Sequence, residues 1–343
     1  MILSYDKQQG RGISEGMTKN KETTVILAYI SVCIIWGSTY LAIRIGVSDF
    51  PPELFAGIRF LIAGALMLLF ACFKGYKFPE DITGLKRQAI VGLFLLMGGN
   101  GVLVWAEQWV YSGVASLLMA IIPLFNALLE LFLPNGPRIG WKGWCGLILG
   151  FSGVALLVLS GSDAKIVNVS GGILLLLAAF LWSLGSVYSK TFKASGSTVA
   201  NIGIQMLSGG IGLTIVGLLS GEAAQVHLTS KGLGSMAYLI FIGSILGYSS
   251  YIYILQKWPA SKAGTYAYIN PVVGVFLGAV ILGEPVSSKI FLSAIIILGG
   301  IFLVQFSKAS QQIVLRTSEN LDSKIGIGKV VLNTFEAVGK EEA

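Results

Sequence analysis

Ten long apolar stretches, each of about twenty residues, constrain the fold of this 343-residue chain more than any other feature. A helix rises about 1.5 Å per residue and therefore needs roughly 20 apolar residues to cross about 30 Å of hydrocarbon. We predict an all-α integral membrane protein whose ten transmembrane helices have the approximate limits 25–45, 53–73, 88–107, 112–133, 141–160, 171–192, 200–220, 233–256, 263–282 and 289–307. Only 12% of the residues are charged, about half the share in soluble domains, so most of the surface must face lipid.

The Lys and Arg residues are distributed unequally between the two sides that ten helices define. Nineteen of the 24 lie on the side of the N-terminus, four lie on the other side, and Arg59 lies within a helix. Cytoplasmic loops carry such an excess, so we predict a multi-pass plasma-membrane protein with both termini in the cytoplasm. Residues 1–24 would form a cytoplasmic N-terminal segment and residues 308–343 a disordered cytoplasmic tail. The same excess accounts for the net charge of +7, and we expect no nucleic-acid partner.

The two halves of the chain share residues at a nearly constant offset. Residue pairs spaced by eight positions recur at offsets of 146 and 148, namely Trp36/Arg44 with Trp182/Lys190 and Ala115/Pro123 with Ala263/Pro271. We predict two five-helix repeats, 25–160 and 161–307, and because five is odd the second copy enters the membrane from the opposite side. Pro123 and Pro271 each lack an N–H inside a helix and free backbone carbonyls, so we predict hinges or cavity elements there.

Short motifs in the helices and the turns beside them narrow the class of protein. They are IIWGSTYLAIRIG at 34–46, PPELFAGIRF at 51–60, GNG at 99–101 with AEQ at 106–108, SGVASLL at 112–118, and TYAYINPVVGVFLG at 265–278 followed by LGEP at 282–285. In these motifs the chain resembles the drug/metabolite transporter superfamily, EamA type, and its YedA-like inner-membrane members. The resemblance covers residues 25–307 approximately.

The resemblance implies ten helices in a 5+5 inverted repeat, with the first four helices of each half around a central cavity and the fifth at the periphery. It also implies an outward or bidirectional path for small metabolites such as amino acids. One feature departs from a duplicated pattern. The second half has Gly283-Glu284 after its proline-containing helix, whereas the first has Asn135-Gly136 in the equivalent turn, so we predict that the acidic turn is not duplicated.

Polar and aromatic side chains within the predicted helices are candidates for substrate binding or for lining the cavity, because such groups are costly in lipid. The candidates are Trp36, Tyr40, Arg59, Asn100, Trp182, Tyr188 and Asn270. The two Trp residues lie in mid-span, away from the interface where Trp is usually found. Lining a polar cavity and packing between helices both explain that position.

Arg59 is the basic residue placed inside a span, about seven residues or roughly 10 Å from its start. One interpretation is a cationic anchor for a substrate carboxylate. The alternatives are an Arg that extends outward to the interface and an Arg that pairs with Glu53 or Glu107 as a structural clip.

Acidic residues near helix ends have several interpretations. Glu107 either takes part in proton coupling, binds a cationic group or is a solvated helix end. We expect Glu130 to extend toward Arg138 or Lys142, and Glu284 to be structural.

The sequence contains neither a G-x-x-x-x-G-K-[ST] nor an H-E-x-x-H motif, so we predict neither an enzyme nor a cofactor or metal site. We predict a secondary transporter, an exporter of small metabolites across the plasma membrane, here a bacterial inner membrane, by alternating access. Proton coupling and passive facilitation both fit. The alternative functions are a membrane-embedded enzyme acting on lipid-linked substrates and a membrane receptor or interaction protein. The expected partners are a small-molecule substrate and the lipid bilayer, and the sequence leaves a homodimer open.

Overall fold

The structure, a computed structural model, describes residues 2–133, 139–159 and 168–307, with side chains from residue 22 onward. Ten helices in this part of the chain are long and apolar enough to cross a membrane. They are α1 Ile2–Gly46, α2 Pro52–Phe73, α3 Ile82–Ala106, α4 Ser112–Glu130, α5 Trp141–Leu159, α6 Val169–Tyr188, α7 Thr198–Leu219, α8 Ser230–Lys257, α9 Ala260–Leu282 and α10 Ser288–Ser307. The predicted fold class and number of spans are confirmed.

Some helix limits differ from those predicted. The predicted N-terminal segment is continuous with α1, which begins at Ile2. Helix α3 begins at Ile82, earlier than predicted, because the prediction followed the apolar stretch and left out the polar first turns. Helix α6 ends at Tyr188, before the predicted limit, because Lys190 N and Thr191 N donate to carbonyls three residues back and form a tight turn. The predicted tail, 308–343, lies outside the described residues.

The helices begin where the sequence supplies a residue that suits a helix start. Ser197 accepts a hydrogen bond from the N–H of Ala200 at the start of α7, and Thr229 does the same for Gly232 in α8. Helix α2 begins with Pro52, whose missing N–H costs nothing in the first turn.

The connections between helices form two faces. On one face, where the membrane-spanning part of α1 begins, Ser197 N donates to Lys77 O at 2.7 Å and joins two connections. We call this the N-terminal face. On the opposite face His227 N donates to Asp49 O at 3.1 Å and joins the connection after α1 to that after α7.

Glycines allow the helices of the two halves to approach closely. A Cβ added to Gly210 of α7 would lie 2.8 Å from Leu61 N of α2, and one added to Gly300 of α10 would lie 2.3 Å from Gly150 N of α5. Small residues at helix contacts are the usual means of close packing in a membrane. Two pairs, α2 with α7 and α5 with α10, therefore join equivalent helices of the predicted repeats.

Four helices are interrupted near their middle, and the interruptions match between the halves. Helices α3 and α8 contain π-helical segments at Leu93–Gly101 and Leu239–Tyr248, which begin 146 residues apart. Helix α4 breaks between Met119 and Ile122, and α9 has a 3₁₀ segment at Gly264–Tyr268. Each break immediately precedes the predicted hinge prolines. Because π-helical segments are rare and concentrate at functional sites, the middle of the bundle is where a site is expected.

Candidate functional site

A small cavity lies between the interrupted helices at the centre of the bundle. Its volume is about 40 Å³, which admits a few waters but no metabolite, because one water needs roughly 10–15 Å³ by this measure. The lining residues are Trp36, Thr39, Tyr40, Arg59, Phe60, Leu96, Gly99, Asn100, Leu103, Met119, Ile122, Trp182, Gly243, Tyr248 and Tyr266. The family resemblance implies eight helices around the central cavity, and the lining residues come from seven of them, all but α7.

Arg59 is the cationic side chain of this cavity and is only 3% exposed. Its Nε donates to Ser244 Oγ at 2.8 Å, and its Nη1 donates to Asn100 Oδ1 at 3.4 Å. The guanidinium also lies 4.5 Å from the centre of the Phe60 ring. Within the described residues neither an ion pair nor an acceptor for Nη2 is found. Neither outward extension nor a clip to an acidic residue describes this arrangement.

The two repeat-related tryptophans meet beside the cavity. The ring centres of Trp36 and Trp182 lie 5.2 Å apart in an edge-to-face arrangement. Trp36 Nε1 donates to Gly243 O at 3.1 Å, and Trp182 Nε1 donates to Tyr251 Oη at 3.2 Å. Both explanations of a mid-membrane Trp therefore hold, because each ring lines the cavity and packs against a helix of the other half.

The remaining candidates differ in their distance from the cavity. Tyr40 lines it and hydrogen-bonds through its side chain to Asn270, which is buried in α9 next to the cavity. Tyr188 is not brought there. It ends α6, and its ring lies 5.4 Å from that of Phe192 near the N-terminal face. Six of the seven predicted residues thus line or adjoin one cavity.

Glu107 lies just past the end of α3 and is 0% exposed. Within the described residues neither carboxylate oxygen has a hydrogen-bond partner. Burial raises the pKa of this carboxyl well above its ordinary value; nearby Arg44 opposes the rise and Glu284 adds to it. Arg44 also donates a hydrogen bond to the backbone carbonyl of Glu107. A solvated helix end does not fit this burial, and the raised pKa favours the protonated form.

Glu130 and Glu284 cap helices of the opposite half. Glu284 accepts hydrogen bonds from Ser112 N at 2.9 Å and Gly113 N at 3.0 Å, at the start of α4. Glu130 Oε1 accepts from Ser261 N at 2.9 Å, at the start of α9. The predicted extension of Glu130 toward Arg138 or Lys142 stays a prediction, because Arg138 lies outside the described residues.

The acidic turn is not duplicated in the sequence, but each half supplies a carboxylate to the start of a helix in the other half. Gly113 and Ser261 are equivalent at an offset of 148, and each donates its amide to a carboxylate from the other half. The carboxylates come from positions that are not equivalent. In both halves a backbone amide at the helix start thus donates to a carboxylate, although the residue that supplies the carboxylate stands at a different position.

A second cavity, of about 390 Å³, lies at the N-terminal face between α3, α6, α7 and α8. Three lysines and several amides line it, and among the described residues no carboxylate does. The polar lining residues are Gln88, Ser189, Lys190, Lys193, Thr198, Asn201, Gln205, Gln256 and Lys257. Burial lowers the pKa of Lys190, and nearby Glu130 opposes that change. Sequence reasoning missed this cavity, and the signal available was the amide side chains within otherwise apolar stretches.

Comparison with known proteins gives a consistent result. The profile of the EamA-like transporter family matches residues 23–159 and, separately, 169–306. The inner membrane transporter YedA of Escherichia coli K12 is 36% identical over 282 residues, which cover 82% of this chain and 90% of YedA. The transporter YoaV of Bacillus subtilis 168 is 27% identical over 292 residues, covering 84% and 99%. A probable amino-acid metabolite efflux pump of E. coli K12 is 25% identical over 293 residues, covering 80% and 92%.

A solved crystal structure also matches, with a TM-score of 0.59 and 21% sequence identity. The match covers 83% of this chain and 98% of the other. At this identity the similarity supports the fold alone.

Proposed function

The chain belongs to the EamA-like transporter family, and on that premise we propose that it is a secondary transporter that exports small carboxylate-bearing metabolites, amino acids or related compounds. It is a multi-pass membrane protein, and its relatives are named as inner-membrane and efflux transporters. The efflux pump among them supports export and an amino-acid-like substrate. The membrane would be the bacterial inner membrane, with both termini in the cytoplasm.

Arg59 is the observation that carries the substrate class. A guanidinium buried in a low-dielectric site is costly unless it is paired. Ser244 and Asn100 satisfy part of it with neutral acceptors, and the Nη2 group stays unpartnered within the described residues. A carboxylate takes two parallel N–H bonds from a guanidinium and neutralises its charge. A substrate carboxylate is therefore the missing partner.

The transport cycle we propose is alternating access between the two predicted repeats, 25–160 and 161–307. The central cavity measures about 40 Å³, whereas a ligand site usually measures roughly 300–1,000 Å³. The helices must therefore separate to admit substrate. The breaks that precede Pro123 and Pro271 supply points at which α4 and α9 can bend.

Glu107 is the candidate for proton coupling. Burial favours its neutral form, and it lies near Tyr40, which lines the cavity, and near Arg44 and Glu284. Loss of its proton would place a charge on oxygens that have no hydrogen-bond partner among the described residues, so deprotonation would favour a conformation in which the carboxylate reaches water.

The test is substrate counterflow into liposomes that contain the purified protein, with a panel of labelled amino acids, uncharged sugars and amines. We expect uptake of one class of carboxylate compound, abolished by Arg59→Gln and only weakened by Arg59→Lys, which keeps the charge but not the bidentate geometry. Arg87→Gln is the matched control, because Arg87 is exposed and stacks on Phe192 away from the central cavity. Uptake confined to amines or sugars, or full activity of Arg59→Gln, would refute the proposal.

A further inference from the structure

Building on the proposed transport function, we propose that Gln88, Gln205 and Tyr248 form the gate that closes the central cavity toward the N-terminal face. Tyr248 Oη donates to Gln205 Oε1 at 2.8 Å, and Gln205 Nε2 donates to Gln88 Oε1 at 2.6 Å. The three side chains are 1%, 3% and 3% exposed in the order Tyr248, Gln205, Gln88. They join α8, α7 and α3 through one continuous chain of hydrogen bonds.

This chain separates the two cavities. Tyr248 lines the central cavity, whereas Gln205 and Gln88 line the larger cavity at the N-terminal face. A solute that moves from one to the other by this route must part the hydrogen bonds between them. Each bond joins neutral groups, and such a bond contributes only about 0.5–1.5 kcal/mol net. Water or a polar solute can replace it, so the barrier is suited to repeated opening.

The gate has a counterpart on the other side of the central cavity. Gln205 stands 146 positions after Arg59, and each lies seven residues beyond the start of its helix, α7 or α2. Tyr248 stands 148 positions after Asn100. Arg59 of α2 bridges α3 and α8, and Gln205 of α7 bridges α8 and α3. The bridging residues and one partner of each are equivalent under the predicted repeat, and the two bridges lie toward opposite faces.

Alternating access requires two barriers that open in turn. In an inverted repeat, exchanging the conformations of the two halves exchanges the states of equivalent contacts. Both bridges are formed in this structure, which accounts for the small central cavity. Opening the N-terminal face then means breaking the contacts of Gln205 while Arg59 keeps its own. The gate toward the N-terminal face is uncharged, and the counterpart carries the charge that holds the substrate.

The experiment measures accessibility and needs no substrate. A cysteine at Met119, which lines the central cavity, is introduced after Cys33, Cys72 and Cys145 have been replaced by alanine. A membrane-impermeant maleimide is then added to either side of proteoliposomes. Labelling of a separate Thr191→Cys variant, exposed at the N-terminal face, identifies the side.

We expect Gln205→Ala and Tyr248→Phe to raise the labelling rate from the N-terminal face by roughly 3- to 10-fold, the population change that loss of one hydrogen bond produces. Tyr248→Phe keeps the ring and so tests the hydroxyl group alone. Gln256→Ala is the matched control, because Gln256 lines the same larger cavity at the N-terminal face but accepts a hydrogen bond from Thr198 and takes no part in the gate. Unchanged labelling in both folded variants, or an increase from the opposite face, would overturn the gate. Failure of counterflow with increased labelling would instead count against the transport proposal alone.

Discussion

At the scale of single residues, the least expected group is Glu107, a carboxyl buried without a hydrogen-bond donor among the described residues. Burial raises its pKa in the folded protein, whereas the unfolded chain has an ordinary value near ~4.3. The folded state therefore binds the proton more tightly. The stability that this preference contributes is present below the ordinary pKa and is lost as pH rises through the raised one.

The corresponding prediction concerns pH and Glu107→Gln, which preserves the shape of the neutral acid. The melting temperature of the wild type should fall as pH rises from about 5 to 9, and the Gln variant should lose that part of the slope. Glu80→Gln, an exposed position at the N-terminal face, is the control. If Glu107 also couples protons, the pH dependence of counterflow disappears in the same variant. Parallel profiles of wild type and Glu107→Gln, in both measurements, would contradict its assignment.

Intramembrane polarity predicted much of the site. Arg59 and Asn100 were identified because such groups are expensive in lipid, and the structure places both at the cavity. Gln88 and Gln205 were not identified, because an amide in a helix can equally form its hydrogen bonds with a neighbouring helix. Nothing in the sequence reveals that these two side chains meet. Tyr188 follows Trp182 by six residues in α6, and its place at the end of that helix puts it near the N-terminal face.

At the scale of helices, buried carboxylates hold the starts of α4 and α9. Glu284 serves two backbone amides, Ser112 N and Gly113 N, through different oxygens, and Glu130 accepts from Ser261 N. A glutamine has a single acceptor oxygen. Glu284→Gln should therefore lower the free energy of unfolding by about 1–3 kcal/mol.

The measurement for these caps is the melting temperature of each variant in detergent, with Glu80→Gln as the exposed control. The expected result is a lower melting temperature for Glu284→Gln than for the wild type and the control. Equal melting temperatures for Glu284→Gln and the control would show that the capping contacts contribute nothing to stability.

Close contact between α2 and α7 leads to a second prediction at this scale. A Cβ on Gly210 would lie 2.8 Å from Leu61 N and 3.1 Å from Gly57 O, and these are backbone atoms that cannot turn aside. Gly210→Ala should cost about 1–3 kcal/mol of stability. Gly234→Ala in α8 is the matched control, since no atom lies within 4 Å of its added Cβ. The two substitutions change helix propensity alike, so a shared melting temperature would refute the packing argument.

The helices themselves were predictable because each must be long and apolar enough to cross the hydrocarbon by itself. Their interruptions were predictable only where proline marks them, before Pro123 and Pro271. The π-helical segments of α3 and α8 have no such mark. They depend on contacts with other helices, such as the hydrogen bond from Trp36 to the carbonyl of Gly243, and these appear only when the halves are assembled.

At the scale of the whole molecule, the family and the ten-helix architecture predicted from motifs and apolar lengths are confirmed. The small size of the central cavity was not predictable, because it depends on how two halves of similar sequence lie against each other. Inverted repeats can pack with either face open, and the energies of the two arrangements differ by only a few kcal/mol. The small volume of the central cavity is thus a property of the assembly and not of any one segment.

Orientation decides which end of the transport path the substrate meets first. Nineteen basic residues against four predict that the N-terminal face is cytoplasmic. A substrate that leaves the cell would then pass Gln205 before it reaches Arg59, which lies toward the opposite face. We expect Thr191→Cys to be labelled only after cells are permeabilised, and His227→Cys, exposed on the opposite face, to be labelled in intact cells. The reverse pattern would place Arg59 nearer the cytoplasm, where a carboxylate anchor would favour uptake over export.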